Sequence, residues 1–251
     1  MTRQTGTTSS ITRRRLLSAV PCALAAAYIP SLANAAAKAS MQHVVLLGDS
    51  IFDNAAYVPG GPDVVRQLRE RLPAGWRATL AAVDGSVITD VRRQLDRVPA
   101  DASHLVLSAG GNDVLDLSAI LEEGARSVAE ALARIADARE RFQRDYRAML
   151  DGVTAKGLPV AVCTVYDARF PDPQQRRVAQ AGLAVFNDCI TREAFARGLP
   201  LLDLRLICND DGDFANPIEP SVQGGAKITA AIAALLATHD FASPRSAVFA
   251  R

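Results

Sequence analysis

Short runs of apolar residues alternate along the chain with longer stretches that have helical periodicity. Five runs are rich in valine, isoleucine and leucine and end at glycine or polar residues, which is typical of strands buried in a parallel sheet. These predicted strands cover residues 43–47, 77–83, 104–108, 159–165 and 199–207. The helical stretches cover residues 63–72, 88–98, 118–156, 174–197 and 224–238. The alternation predicts a single α/β domain with a parallel sheet.

Glycines and polar residues follow four of the predicted strands. The blocks read Gly-Asp-Ser at 48–50, Asp-Gly-Ser at 84–86, Gly-Gly-Asn-Asp at 110–113 and Asn-Pro-Ile-Glu-Pro-Ser at 216–221. Taken singly, each block is typical of a turn or a helix cap. Ligands of open α/β sheets bind at the carboxyl ends of the strands. The order and spacing of all four blocks therefore indicate a functional site at that edge.

In these blocks the sequence resembles the SGNH-hydrolase superfamily and its GDSL members, from about Val44 to Ile232. The resemblance implies a flavodoxin-like three-layer α/β/α sandwich with a five-stranded parallel sheet. It also implies hydrolysis of carboxylic esters, with Ser50 as the nucleophile. The oxyanion hole would come from the backbone amides of Ser50 and Gly85 and the side-chain amide of Asn112. Such chemistry needs a small-molecule ester substrate and no cofactor.

The last block departs from the family pattern. Members usually carry Asp-x-x-His there, in which the histidine accepts the serine proton and the aspartate orients it. This chain has Asn216 and Glu219 at those two positions. His43 and His104 stand at the starts of predicted strands, on the edge opposite Ser50, and His239 follows the last predicted helix. None of the three histidines is therefore expected to act as the base.

Three hypotheses account for the missing histidine. In the first, Glu219 is the base, with a pKa raised by burial, and the Asn216 amide hydrogen-bonds its carboxylate. In the second, the domain is a catalytically weak or inactive protein that binds an ester or carbohydrate. In the third, Glu219 and Asp113, with Asp49, hold a cation that activates water. The retained oxyanion-hole residues favour the hydrolase, and Asp49 is otherwise expected to be structural.

The first 35 residues have the pattern of an export signal. Residues 12–17 read Thr-Arg-Arg-Arg-Leu-Leu, an apolar stretch covers 19–29, and Ala-Asn-Ala at 33–35 fits a cleavage site. This order predicts a twin-arginine signal peptide, cleaved near Ala35, followed by one exported domain over 36–251. The alternative is a membrane anchor, but the stretch contains Pro21 and is shorter than the ~20 apolar residues of a spanning helix. We therefore expect no membrane span after processing.

Charge and cysteine content add little about function. The net charge of +1 gives no reason to expect nucleic acid as a partner. Cys163, Cys189 and Cys208 remain after the predicted cleavage. An oxidising compartment would permit one disulfide, for which Cys163 and Cys208 are the preferred pair, although all three are equally consistent with small buried residues. Neither the substrate nor the oligomeric state follows from the sequence.

Overall fold

Six parallel strands form the central sheet. The computed structural model describes residues 41–250, so the predicted signal peptide and its cleavage near Ala35 lie outside the described residues. The strand order is β2-β1-β3-β4-β5-β6, and every neighbouring pair is parallel. The bounds are β1 Gln42–Gly48, β2 Trp76–Leu80, β3 His104–Ser108, β4 Val160–Cys163, β5 Leu201–Leu202 and β6 Val248–Phe249.

Helices connect these strands and cover both faces of the sheet. Each of the two longest helices begins at a side-chain cap, on Ser127 or Asp172. The bounds are α1 Val64–Arg71, α2 Val91–Leu95, α3 Gly111–Asp116, α4 Val128–Thr154, α5 Pro173–Ala196, α6 Leu204–Ile207 and α7 Val222–Thr238.

Two hydrophobic cores lie on opposite faces of the sheet. On one face α2, α4 and α5 bury a cluster that includes Phe142, Tyr146 and Ile190. On the other face α1, α6 and α7 bury a second cluster, which includes Leu68 and Ile232. Burial on both faces explains why the strands are continuous apolar runs. The predicted three-layer α/β sandwich is confirmed.

The number of strands and the bounds of several elements differ from the predictions, most clearly at two places. The sheet has six strands, not five, because Val248–Phe249 pairs with β5, and this pairing is too short to give a sequence signal. The predicted strand over 199–207 is only two residues long, because the Asp203 side chain caps a short helix after it. The predicted helix over 118–156 begins at Val128, and a 3-10 helix, Leu117–Glu122, precedes it.

Of the two alternatives for the cysteines, the structure has the small buried residues and not the Cys163–Cys208 disulfide. Cys163, Cys189 and Cys208 are all free and buried, and Cys163 and Cys208 belong to the same hydrophobic core. Burial raises the pKa of the Cys163 thiol well above its ordinary value, which keeps it protonated. These cysteines therefore act as small apolar core residues. Within residues 41–250, no helix has the length and apolar content needed to cross a membrane.

Candidate active site

Ser50 lies in the turn that follows β1, beside the point where the strand order reverses. Strand β1 lies between β2 and β3, so the carboxyl ends of β1 and β3 border this switch point. Gly48 ends β1 with a φ of 128°, and a Cβ there would meet the Ser108 carbonyl oxygen at 1.6 Å. Only glycine lets the two strand ends approach this closely. The turn buries Ser50, whose backbone N–H has no acceptor within residues 41–250.

Asn112 and Gly85 stand on the neighbouring strand ends. Asn112 lies in the first turn of α3, and its side-chain amide donates a hydrogen bond of 2.9 Å to the Ser86 carbonyl. One amide N–H of Asn112 therefore remains for another acceptor. Gly85 is exposed in the adjacent turn, with a φ of 75°, and its N–H has no acceptor among the described residues.

Glu219 belongs to the 214–220 loop, which precedes α7. The loop is closed by an antiparallel bridge between Phe214 and Pro220 and by a 2.8 Å hydrogen bond from the Ala215 N–H to the Glu219 carbonyl. Tyr166, which follows β4, donates a 2.7 Å hydrogen bond to the Ile218 carbonyl. These bonds fix the backbone of Glu219, whose side chain is buried against the Ser50 turn.

Asn216 makes a different contact from the one expected. Its side-chain oxygen accepts hydrogen bonds from the N–H groups of Ile218 and Glu219, both at 2.9 Å. The expected bond from the Asn216 amide to the Glu219 carboxylate is therefore replaced by two bonds to the backbone. This Asx turn fixes the main chain of Glu219 but provides no hydrogen bond to its carboxylate.

The Glu219 carboxylate and the Ser50 hydroxyl lie side by side at one end of a cavity. Burial raises the pKa of Glu219 to about 7, an effect that the Ser50 hydroxyl opposes and the negative charge of Asp84 reinforces. The carboxylate oxygen Oε2 is buried and has no hydrogen-bond partner among the described residues. Glu219 therefore titrates near neutrality while in contact with a hydroxyl group.

Two further carboxyl groups lie nearby, but they do not complete a metal site. Asp49 accepts a 3.1 Å hydrogen bond from the Ile51 N–H, and burial raises its pKa to about 7, with smaller contributions from neighbouring charges that include Glu219. Asp113 accepts a 3.0 Å hydrogen bond from the Ile88 N–H. No group of three or more His, Cys, Asp or Glu residues within 41–250 could hold a metal ion. The cation hypothesis therefore has no ligand set in the described residues.

The three histidines lie in other surroundings. His43 is buried at the start of β1 and makes contacts of 2.8 Å to Thr79 and 3.2 Å to Asp101. His104, at the start of β3, and His239, after α7, both pack edge-on against the ring of Phe241. These contacts place all three at the amino-end edge of the sheet, so none of them takes the place of the missing histidine.

A cavity of about 500 Å³ begins at Ser50 and extends between helices on one face of the domain. Ser50, Asn112, Glu219 and Asp49 line one end of it. Gly85 does not line this cavity and lies in the turn after β2. The structure therefore brings together three of the five predicted site residues. Asn216 supports one of them through the backbone.

Two buried polar residues that sequence reasoning missed hold the site together. The Gln94 side chain exchanges two hydrogen bonds of 2.7 Å with the backbone of Gly48 and donates another to Ser86. The Asn54 side chain donates to the Pro220 carbonyl at 3.0 Å and accepts from the Val64 N–H at 2.9 Å. Gln94 lies in a predicted helix and Asn54 in a loop, where nothing local indicates a tertiary role.

Comparisons with known proteins agree with this architecture. The model of the GDSL-like lipase/acylhydrolase family matches residues 46–226. A search of curated protein sequences found no match. Solved structures of similar fold include an extracellular lipase from Streptomyces rimosus, with 19% identity, a TM-score of 0.57 and coverage of 79% of this chain and 100% of that one.

Two further similar structures come from other proteins. Phospholipase A1 from Streptomyces albidoflavus has 16% identity and a TM-score of 0.55, with 80% of this chain and 100% of that one covered. A protein of the lipolytic G-D-S-L family from Veillonella parvula has 15% identity and a TM-score of 0.57, with 78% and 97% covered. The match of the family model over most of the chain shows that this protein belongs to the GDSL-like lipase/acylhydrolase family of SGNH hydrolases, and is an ester-hydrolysing enzyme.

Proposed function

We propose that the protein is an exported serine esterase that works through a Ser50 acyl-enzyme, with Glu219 as the general base. The observation that carries this proposal is the position of a buried Glu219 carboxylate beside the Ser50 hydroxyl, at the end of one cavity. A nucleophile in contact with a base is the geometry that acyl transfer to serine requires. Export rests on the twin-arginine pattern and stays a prediction.

In the proposed mechanism Glu219 accepts and then releases one proton in each half of the reaction. Ser50 Oγ attacks the ester carbonyl carbon while the Glu219 carboxylate accepts the hydroxyl proton. The tetrahedral intermediate then expels the alcohol, whose oxygen takes that proton from Glu219. Water attacks the acyl-enzyme in turn, Glu219 accepts a proton from the water, and Ser50 leaves with that proton as the carboxylic acid departs.

Burial makes a glutamate suitable for this role. A free glutamate has a pKa of ~4.3 and is a weak base near pH 7. With its pKa at about 7, Glu219 has the basicity of an ordinary histidine and is still partly ionised at neutral pH. General bases are most effective when their pKa lies near the working pH. The unpartnered Oε2 oxygen also leaves the carboxylate free of competing donors.

We propose that three N–H donors stabilise the oxyanion. The backbone N–H groups of Ser50 and Gly85 have no acceptor among the described residues, and Asn112 retains one amide N–H after bonding Ser86. Donors without a partner can bind the negative charge that develops on the carbonyl oxygen. Removal of one such donor typically costs on the order of 100–1,000-fold in kcat. We therefore expect Asn112→Ala to lower kcat by that factor.

A labelling experiment tests the proposal directly. A fluorophosphonate forms a bond between its phosphorus and Ser50 Oγ and releases fluoride, so peptide mass spectrometry should locate the label on Ser50. The Ser50→Ala variant should take up no label and should hydrolyse p-nitrophenyl acetate at the background rate. Ser118, which lies on the wall of the same cavity, provides the matched Ser118→Ala control.

Two results would contradict the proposal. Equal turnover by wild type and Ser50→Ala across pH 5–9 would exclude Ser50 as the nucleophile. Absence of both label and turnover in wild type would favour the ligand-binding alternative instead.

A further inference from the structure

Gly182 lies in the interior of α5 without a structural need for glycine. Glycine is a poorer helix former than every residue except proline. The usual reasons to retain it are a left-handed backbone or close packing, and neither applies here. Gly182 is not among the glycines with positive φ, and a Cβ built on it has no heavy atom within 4 Å. The space that its side chain would enter belongs to the cavity beside Ser50.

The walls of this cavity are apolar between the Ser50 end and the surface. They come from the 3-10 helix 117–122, α4 and α5. Polar side chains occur at the Ser50 end and at exposed positions of the wall, which are Ser118, Glu122, Gln174 and Gln175. The side chains between them are mostly aliphatic: Leu117, Ile120, Ile135, Val178 and Leu183, with Phe186 beside them.

We propose that the cavity binds the alkyl chain of a medium- or long-chain ester, and that Gly182 keeps it open. This inference rests on the proposed function. The reacting carbonyl lies at Ser50, so a chain attached to it can enter the apolar section directly. A volume of about 500 Å³ is far larger than an acetyl group needs and is typical of ligand pockets. Because most of the lining side chains are aliphatic, binding there depends mainly on apolar area.

The chain-length dependence of kcat/KM is the first test. For p-nitrophenyl acetate, butyrate, octanoate and decanoate, we expect kcat/KM to rise by about fourfold per methylene until the cavity is full. The Gly182→Leu variant should affect octanoate hydrolysis far more than acetate hydrolysis, because the acetyl group is too short to need the apolar section. Its kcat/KM for octanoate should fall by on the order of 50-fold, because leucine occupies the space of several methylenes.

Matched variants separate occlusion of the cavity from damage to the helix. Ala181→Leu puts the same side chain on the same helix at an exposed position outside the cavity wall, so octanoate hydrolysis should not change. Gly182→Ala should leave most of the space open and stabilise α5. If Gly182→Leu does not fold, Ala179→Leu enters the same cavity one turn earlier.

The side of the ester that carries the chain follows from a second substrate series. Octyl acetate places the chain on the alcohol, whereas p-nitrophenyl octanoate places it on the acyl group. Sensitivity of either substrate to Gly182→Leu supports the cavity, and the sensitive one identifies the side. A chain-length profile that is flat in wild type, or equal in Gly182→Leu, overturns the inference while Ser50-dependent acetate hydrolysis still supports the proposed function.

A binding measurement keeps the test independent of catalysis. Decan-1-ol is neutral, so the carboxyl groups of Asp49 and Glu219 do not repel it. Calorimetric titration into wild type should show binding with a negative heat-capacity change, and the Gly182→Leu variant should bind at least about tenfold more weakly. Equal affinity in the two proteins, or no binding to wild type, overturns the inference even if no ester is hydrolysed.

Discussion

Glu193 and Glu219 are equally buried, each with 4% of its surface exposed, and yet their pKa values move in opposite directions. Glu193 lies between α4 and α5, where Arg147, Arg197 and Gln143 donate hydrogen bonds of 2.7–2.9 Å to its carboxylate. These bonds, above all those from Arg147, lower its pKa to about 2. Glu219 has only the Ser50 hydroxyl, and burial raises its pKa to about 7.

The comparison shows that the ionised Glu193 carboxylate stabilises the fold, whereas ionisation of the Glu219 carboxylate destabilises it. A buried charge with full hydrogen bonding joins two helices, whereas a buried carboxylate without such partners is disfavoured in its ionised form. Functional sites often retain groups of the second kind, because a shifted pKa is what their chemistry uses. The fully paired Glu193 lies outside the cavity, and the poorly paired Glu219 lines it beside Ser50.

The Glu219→Gln substitution should have the largest effect on activity. Loss of the general base should lower kcat/KM for p-nitrophenyl acetate by on the order of 100–10,000-fold. In wild type, kcat/KM should rise as the pH increases through about 7, because only the ionised carboxylate accepts a proton. Stopped assays from pH 5 to 9 measure both effects. A wild-type profile without a step near pH 7, or a variant with full activity, would exclude Glu219 as the base.

The same substitution should make the protein more stable at pH 8. The folded-state pKa of about 7 exceeds the unfolded value of ~4.3, so the unfolding free energy of wild type falls as the pH rises between them. Gln carries no charge and avoids this loss, which amounts to about 3–4 kcal/mol at pH 8. Urea unfolding at pH 5 and pH 8 should show a gain that grows with pH. If the gain in unfolding free energy did not change with pH, the pKa of Glu219 would not be raised in the folded protein.

Glu193→Gln should have the opposite effects. We expect it to destabilise the protein by about 2–3 kcal/mol at pH 7, because two arginines lose their carboxylate partner. Activity should remain within about twofold, since Glu193 is not part of the cavity wall. The stability that Glu193 contributes is present above the unfolded pKa of ~4.3 and is lost as the pH falls toward 2. The difference between wild type and variant should therefore disappear in acid. A large loss of activity in the folded variant would contradict the conclusion that Glu193 stabilises the fold and takes no part in catalysis.

Asn216 offers a smaller and more selective test. Its oxygen accepts two backbone N–H groups, so Asn216→Asp keeps both bonds and should retain most activity. Asn216→Ala loses both bonds and should lower kcat by about tenfold while it broadens the pH profile, because Glu219 is no longer held in one position. Failure of Asp to rescue activity would show that the side-chain amide group is itself required.

Asp84→Asn should produce the smallest change. The negative charge of Asp84 contributes to the raised pKa of Glu219, so its removal should shift the midpoint of the pH–rate profile downward by roughly a few tenths of a unit. Salt should reduce the shift, because Asp84 is exposed. A midpoint that moves upward would contradict the proposed electrostatic coupling.

Much of the fold was predictable because the strands are buried on both faces. The runs ending at Gly48 and Ser108 gave β1 and β3 to within a residue, and the blocks after them placed Ser50 and Asn112 at one edge. Residues that act locally leave a local pattern in the sequence. Strand β6 left none, because two residues paired with β5 have no periodicity to detect.

The pKa of Glu219, the Asn216 contact and the cavity could not be predicted, because each depends on contacts that the local sequence does not specify. Glu219 was identified from its place in the last block, but its raised pKa comes from burial against segments far away in the chain. The Asn216 contact was predicted wrongly because composition does not tell whether an amide bonds a side chain or the backbone. The cavity was missed because its walls come from separate helices, each of which has an ordinary apolar face.

The closed 214–220 loop also has an evolutionary consequence. Its bridge between Phe214 and Pro220 and its internal hydrogen bonds make its shape largely independent of which acid–base residue it carries. The nucleophile lies far away in sequence, on the turn after β1. A lineage can therefore exchange histidine for glutamate, and change its preferred pH range, through a few mutations in one short segment while the nucleophile turn and the sheet are inherited unchanged.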